Sequence, residues 1–564
     1  MNETAKTSRE ILKELEKTGA ENQMQLNKIK LKIARKYRLK KIPTNIELSN
    51  YAGADERKKW KNLLTIKPVR TISGVAPIAI MTKPHKCPHG KCIYCPGGVG
   101  SAFGDVPQSY TGKEPATRRA IRNKFDPYMQ AFNRLEQYAV MNKTPDKAEI
   151  IIMGGTFPSL PIKYQDKFVM HTFKALNDFS KLFYKKKELN HKKFGEFFEI
   201  KENLNDEKRT KRIHRRILAE KAKGGKNLQE EQKKNETAKI RCVSLTIETR
   251  PDWCGKKEIN QMLKLGCTRA ELGIQTIYDS ILKKSERGHT VKDSINATKL
   301  LKDTGFKINY HLMPGLPGSD AEKDAKMFKT LFSNQDFKPD MLKIYPCMVI
   351  KGTKLHKLFK EKKYTPLKTE EAAELIIKLK KIVPKYVRIM RVQRDIPTAA
   401  TEAGAGMTNL RQHISEIMKK RGIKCRCIRC REIGRQNASG KIEYNLMHYN
   451  ASDGTEFFIS AEIKDALLGF CRLRFPPKPF RKEINQNTAL IRELHVFGEA
   501  AGIGEKNKKK TQHKGIGRNL MNAAEDVSKM YYKKKIAVIS GIGAREYYKK
   551  LGYKKEGAYM TKRI

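Results

Sequence analysis

The chain has 564 residues and carries 117 Lys and Arg against 60 Asp and Glu, a formal charge of +57. Length alone suits about three or four domains, and so large an excess of one sign calls for a polyanion partner, nucleic acid first, because heat- or salt-adapted surfaces interleave both signs. No apolar run reaches the roughly 18 residues a membrane-crossing helix needs, and the start MNETAKTSREILKELEK has no leader-like apolar stretch, so a membrane protein and an exported disulfide scaffold are set aside for a cytoplasmic one.

Residues 1–75 read as a basic N-terminal arm for nucleic acid. A helical pattern runs into KIKLKIARKYRLKKIP, where basic residues interleave with Ile, Leu and Tyr, a surface able to meet phosphates and stacked bases together. A solvated helical face is the plainer reading. Residues 76–395 then repeat an apolar strand and an amphipathic helix, the rhythm of a parallel sheet or barrel. Strands are expected at PIAIMT, AEIIIMGG, CVSLTIET, AELGIQT, KINYHLMPG, LKIYP and YVRIMRV, with helices between them such as KFVMHTFKALNDFSKLF and TEEAAELIIKLKKIV. The charged stretch 185–238 interrupts as an insertion, expected to be solvated or to extend the basic surface.

At the end of the first strand, CPHGKCIYCPGG sets Cys87, Cys92 and Cys95 in one loop, at the strand end where parallel sheets keep their chemistry. Three thiolates can hold three irons of a 4Fe–4S cubane and leave the fourth iron open. Zinc is the alternative, and it would need His89 as a fourth ligand from the same turn. The second strand ends in Gly154, Gly155 and Thr156, where a bare backbone lets a small ligand approach. Alone this is a strand-end turn; beside an open iron it becomes a grip for the amino group of S-adenosylmethionine. The scattered Cys242, Cys254, Cys267, Cys347 and Cys471 read as small buried hydrophobes.

Residues 396–435 form a linker in which Cys425, Cys427 and Cys430 fall one ligand short of tetrahedral zinc. His413, on the expected helix NLRQHISEIMKK, is the nearest imidazole and equally an ordinary surface histidine. A zinc clasp between domains is expected. Residues 436–564 switch to antiparallel-looking strands of an α+β domain. There Gln512, Gly515, Ile516, Gly517 and Arg518 open a helix after a lysine-rich loop, so free backbone N–H groups converge on an anion such as a pyrophosphate. A helix-opening glycine turn is the plainer reading, but the flanking strands ELHVFG and KIAVISG favour an acyl-CoA site. Tyr547 or Tyr548 could offer a phenol to the thioester or its departing sulfur, the other packing inward.

These pieces together resemble the catalytic subunit of Elongator, a family that joins a radical S-adenosylmethionine domain, a partial TIM-type (β/α) barrel, to a GNAT-type acetyltransferase domain. The likeness spans residues 60–564 and rests on CPHGKCIYCPGG, SYTGKEPATRRAIRNKFDPYMQ, MGGTFPSLP, TIETRPDWC, HLMPGLPG, QRDIPT, RELHVFGE and ISGIGAREYYKKLGY. The cysteine spacing departs from the CxxxCxxC of most radical S-adenosylmethionine enzymes, in a family whose first gap varies. Eukaryotic members lack two of the three later cysteines, so zinc belongs to the microbial form. The insertion is longer than the family leads one to expect.

By this resemblance the enzyme carboxymethylates C5 of the tRNA wobble uridine, reading the anticodon stem-loop and taking its carbon from acetyl-CoA. A 5′-deoxyadenosyl radical would take hydrogen from the acetyl methyl, and an electron donor is required. Acetyl-CoA contacts carry over to Lys147, to Glu493, Leu494, His495 and Val496, to Ile516, Gly517 and Arg518, and to Tyr548, with Lys147 also a catalytic candidate. A homodimer is left open. The rival reading is a protein lysine acetyltransferase with a structural or regulatory cluster, and a third is a non-catalytic tRNA-binding module.

Overall fold

The computed structural model of the protein describes residues 3–65, 74–143, 145–186, 188–200, 206–225, 227–436, 438–497 and 515–564. Its N-terminal region is a folded helical module rather than an arm. Helices α1 (Glu3–Thr18) and α2 (Gln23–Lys36) lead it, the second opened by a capping box between Asn22 and Gln25. Helical period sorts the interleaved basic run into two faces. Leu26, Ile29 and Ile33 turn inward onto Ile11, Leu15, Leu48 and Trp60, while Lys28, Lys32, Arg35 and Lys36 stay exposed.

Seven strands follow: β1 (Val75–Met81), β2 (Lys147–Met153), β3 (Arg241–Thr249), β4 (Arg269–Gln275), β5 (Lys307–Leu312), β6 (Met341–Ile344) and β7 (Arg388–Arg391). They pair in parallel in chain order. The first and last strands do not pair with each other, so the curled sheet stays open as a half-barrel. Crossover helices such as α3 (Ile162–Phe183) bury one face against it.

The insertion is packed, not solvated. Its helix α4 (Glu207–Ala222) turns Ile213 and Ile217 into the core, and Phe194 and Phe198 join Phe179 and Phe183 in an aromatic cluster. Its many charges occupy the outer face of an amphipathic layer. Beyond it, α5 (Thr369–Ile382) packs on α6 (Leu410–Lys420), and the cysteine segment 425–430 follows. No helix among the described residues is long and apolar enough to cross a membrane.

The second sheet is a meander of β8 (Glu443–Ala451), β9 (Gly454–Ile463), β10 (Ala466–Phe475) and β11 (Thr488–Val496), continued by β12 (Lys535–Val538), β13 (Lys554–Glu556) and β14 (Tyr559–Arg563). Helix α7 (Ile516–Met530) covers β9, β10 and β11. This domain docks on the N-terminal ends of the half-barrel strands, opposite the Cys87 loop. The approach is so close that a Cβ on Gly541 would lie 2.0 Å from the Val243 carbonyl oxygen.

A seam of buried charge joins the two sheets. Arg492 reaches Asp340 at 3.0 Å and Glu456 at 2.8 Å. Arg474 bonds Asp303 at 2.9 Å and Glu456 at 3.1 Å, Arg472 bonds Glu493 at 2.9 Å, and Lys302 lies 3.5 Å from Glu456. Four carboxylates thus meet four cations away from water, which is tolerable only when every one is paired.

Candidate active site

One cavity of about 1910 Å³ runs the height of the half-barrel and into the second sheet. A strand of seven residues such as β2 spans roughly 20 Å at ~3.3 Å per residue, so its two mouths are chemically separate places in one space.

The upper mouth, at the C-terminal strand ends, holds the cysteine loop. Ile93 and Tyr94, buried beneath it, anchor it, and turns close from Gly90 N–H to the Cys87 carbonyl and from Cys95 N–H to the Cys92 carbonyl, both at 3.0 Å. Cys92 Sγ faces Arg287 Nη1 at 3.6 Å and His89 Nε2 at 3.2 Å. Cys95 Sγ accepts from the Ser109 N–H at 3.3 Å, and Cys87 Sγ lies 3.7 Å from the Thr156 hydroxyl. Burial, with Arg250 and Arg287 nearby, lowers the His89 pKa to about 3, so its ring is neutral. Donors and a cation around three thiols are what a 4Fe–4S cluster needs.

Below the loop, Gly154 and Gly155 take φ of +116° and +113°. A Cβ would lie 2.6 Å from Thr82 Oγ1 in one case and 3.0 Å from Gln108 Cβ in the other. Thr82 Oγ1 and Gln275 Oε1 are buried without a hydrogen-bond partner among the described residues. A bare backbone beside unsatisfied polar atoms fits a small polar ligand such as S-adenosylmethionine.

The lower mouth is built by the splay of two strands. β11 pairs with β12 only over Thr488 to Ile491, so the backbone from Glu493 to Val496 leaves β12 and opens a notch. Gly515, at φ +77°, starts α7 without a side-chain cap, so among the described residues the first helical N–H groups are left to face an anion. A Cβ on Gly517 would lie 2.8 Å from the Tyr547 hydroxyl. Lys147, at the start of β2, lines the same cavity with Leu494, His495, Val496, Gly517 and Arg518.

Glu493 and Tyr548 line this cavity too, but these and the remaining expected residues differ in what their side chains can offer. Ile516 lies in the hydrophobic core, so only its backbone can face a ligand. Glu493 is committed to Arg472. Tyr548 packs in the core while Tyr547 is 40% exposed; burial pushes the Tyr547 phenol up to about 12 and Tyr548 higher still, so both are donors at neutral pH. Gln512 lies outside the described residues.

The sulfurs of Cys425, Cys427 and Cys430 all lie within 4.8 Å of one another, close enough to share one ion. His413 does not join them: its Nε2 pairs with Glu370 at 3.1 Å. A cation stands beside them: Lys380 Nζ is 3.8 Å from Cys430 Sγ.

Sequence reasoning missed a charged level midway up the cavity, formed by Glu248, Glu271, His311 and Lys343. Its signal was there: each is a charged or ionisable residue inside a strand otherwise read as apolar.

Over residues 4–72 the chain matches the ELP3 N-terminal domain, and over 81–331 the radical SAM superfamily. The Radical_SAM C-terminal domain matches 339–420 and the acetyltransferase (GNAT) domain 508–563. The chain is 49% identical to the tRNA uridine(34) acetyltransferase of Methanocaldococcus jannaschii, covering 100% of this chain and 99% of that protein. It is 38% identical to Elongator complex protein 3 of Homo sapiens, covering 96% and 93%. The solved structure of Methanocaldococcus infernus Elp3 with residues 1–46 deleted aligns with a TM-score of 0.71 at 44% identity, covering 88% of this chain and 100% of that one. Likeness from end to end, on a half-barrel that shares its cavity with an acetyltransferase-type sheet, makes the chain a member of the family of tRNA uridine(34) acetyltransferases and Elongator complex protein 3.

Proposed function

We propose that the protein carboxymethylates C5 of the wobble uridine of tRNA, using acetyl-CoA and S-adenosylmethionine. The observation that carries this reading is the single cavity, lined by the cysteine loop at one end and by the α7 turn at the other. C5 belongs to a conjugated ring and the methyl of a thioester is barely acidic, so ordinary acyl transfer cannot join them. A 4Fe–4S cluster with S-adenosylmethionine, when bound, supplies the one-electron cleavage whose carbon radical can take hydrogen from that methyl.

Cys87, Cys92 and Cys95 would hold the cluster, and Gly154, Gly155 and Thr156 would admit the amino end of S-adenosylmethionine. The backbone of Glu493 to Val496 and of Gly515 to Gly517, with Arg518 and Lys147, would hold the coenzyme. The exposed Tyr547 phenol, protonated at neutral pH, is the better placed of the two tyrosines to donate to the thioester. Cys425, Cys427 and Cys430 would hold zinc. The lysine- and arginine-rich α2 face would meet the tRNA backbone, and an external electron donor is required. Chemistry on tRNA with free thiols suits the cytoplasm.

The test is mass spectrometry of wobble nucleosides after anaerobic reaction of the loaded protein with reductant, S-adenosylmethionine, acetyl-CoA and tRNA. Carboxymethyluridine is expected from the unaltered protein and none from Cys92→Ser. An intact cluster yielding no modified uridine would refute the reading. A lysine acetyltransferase would leave the upper half of the cavity idle, and Cys92→Ser would then spare acetylation of peptides.

A further inference from the structure

The level midway up the cavity has no role in the function just proposed. Sheet register assembles it: Glu248 lies opposite Glu271, and His311 opposite Lys343. The ammonium of Lys343 bonds Glu271 and lies 3.6 Å from Glu248, so a cation already sits among the carboxylates. What this level offers instead is an oriented base.

Glu271 is fully committed. It receives Lys343, the Asn309 amide at 3.2 Å and His311 Nε2 at 2.9 Å, and Arg269 lies 3.5 Å away. Burial would raise its carboxyl, but Lys343, His311 and Arg269 outweigh that and keep it ionised. A carboxylate only accepts, so the proton on the His311 ring is at Nε2. Burial and Lys343 lower the pKa of His311, although Glu271 and Glu248 oppose them, so the ring is neutral and Nδ1 carries a lone pair. The Tyr345 ring stands edge-on at 5.7 Å and fixes its plane. The ring lines the cavity.

We propose that His311, oriented by Glu271, is the general base for hydrolysis of the thioester left after the carbon–carbon bond has formed. The inference rests on the function proposed above, which requires that cut. Its location fits. Above it, the Tyr110 hydroxyl bonds Glu248 at 3.3 Å, next to Ser109 whose N–H bonds Cys95. Below it, Arg269 and Lys307 feel the charge of Glu493 in the coenzyme notch. The acyl carbon must lie between those ends. Nδ1 takes a proton from water as the water oxygen adds to the thioester carbonyl carbon. The carbon–sulfur bond then breaks, the thiolate takes that proton from Nδ1, and carboxylate and coenzyme A thiol leave, the acid proton passing to solvent.

The loaded full-length protein, given tRNA, acetyl-CoA, S-adenosylmethionine and reductant, is assayed for 5′-deoxyadenosine and free thiol. In His311→Asn, thiol release should fall about 100-fold further than 5′-deoxyadenosine formation, the scale of a lost general base, and tRNA should carry a thioester adduct cleaved by hydroxylamine. In the unaltered protein, thiol release should lose its rate in acid with a midpoint below the usual histidine value of about 6.5. Glu271→Gln, which removes a negative neighbour, should move that midpoint lower. Unchanged thiol release in His311→Asn, equal loss of both products, or an acid-insensitive unaltered protein would each overturn the proposal. If the variant does not fold, the pH profile of the unaltered protein decides. Absence of modified uridine from the unaltered protein would instead sink the function on which the inference rests.

Discussion

Arg287 shows what a single residue does here that no motif announces. Its guanidinium is buried, Nη2 bonds the Gly273 carbonyl at 2.8 Å, and its own carbonyl accepts from Arg250 Nη1 at 2.7 Å. So held, Nη1 faces Cys92 Sγ at 3.6 Å. A cationic donor at a ligating sulfur stabilises the more negatively charged, reduced form of a cluster. Arg287→Gln should keep its iron but shift the midpoint potential negative by on the order of 50 mV, about one decade for a one-electron couple. Iron analysis and a redox titration followed by electron paramagnetic resonance check this, and an unmoved midpoint would remove Arg287 from any tuning role. The cysteines it serves were legible in the sequence because their spacing is local. Arg287, 195 residues from Cys92, was not, because only the curl of the folded sheet brings the two together.

At the scale of elements, the seven parallel strands and the meander could be read from apolar runs, clearest where a strand such as β4 or β9 is buried along nearly its whole length. The insertion could not, because its charge count hid that Ile213, Ile217, Phe194 and Phe198 belong to one core. The N-terminal run misled in the same way: residues alternating along the sequence separate around a helix. The cysteine segment 425–430 is the element whose role is most open to test. The Ile428 N–H bonds the Val387 carbonyl at 2.9 Å, and Glu432 bridges to Leu467 of β10, so the segment is stitched to both sheets. With a metal in place, Cys427→Ser should lose one zinc per chain and several degrees of melting temperature, each kcal/mol being worth roughly 2–4 °C in a domain of ordinary size. Metal analysis beside thermal unfolding tests both parts. Zinc content equal in the variant and the unaltered protein would show that the three thiols do not hold it.

For the whole molecule, the net charge of +57 pointed to a partner and concealed the seam, where charges cancel. The seam makes the two sheets one body, and its cost and its failure can be stated. Asp340 is buried, which alone would raise its carboxyl, but the guanidiniums of Arg492 and Arg472 and the ammonium of Lys302 hold it far below the usual range. A depressed folded value means that its contribution is complete above the unfolded value of about 3.9 and is lost as pH falls below it. Glu456 and Glu493 are lowered in the same sense, again against burial. Asp303 is raised instead, burial outweighing Arg474, so acid should weaken the seam through Asp340, Glu456 and Glu493. Arg492→Met leaves Asp340 and Glu456 short of a partner, and removing one member of a buried set costs about 3–5 kcal/mol. Denaturant unfolding at neutral pH should show that loss, and lowering the pH should cost Asp340→Asn less stability than the unaltered protein. Because Arg492 and Glu493 of this seam line the cavity beside the coenzyme notch, Arg492→Met should still bind acetyl-CoA but uncouple its consumption from tRNA. A variant as stable and as tightly coupled as the unaltered protein would mean that apolar packing alone holds the sheets, and that the buried charges serve some purpose other than alignment.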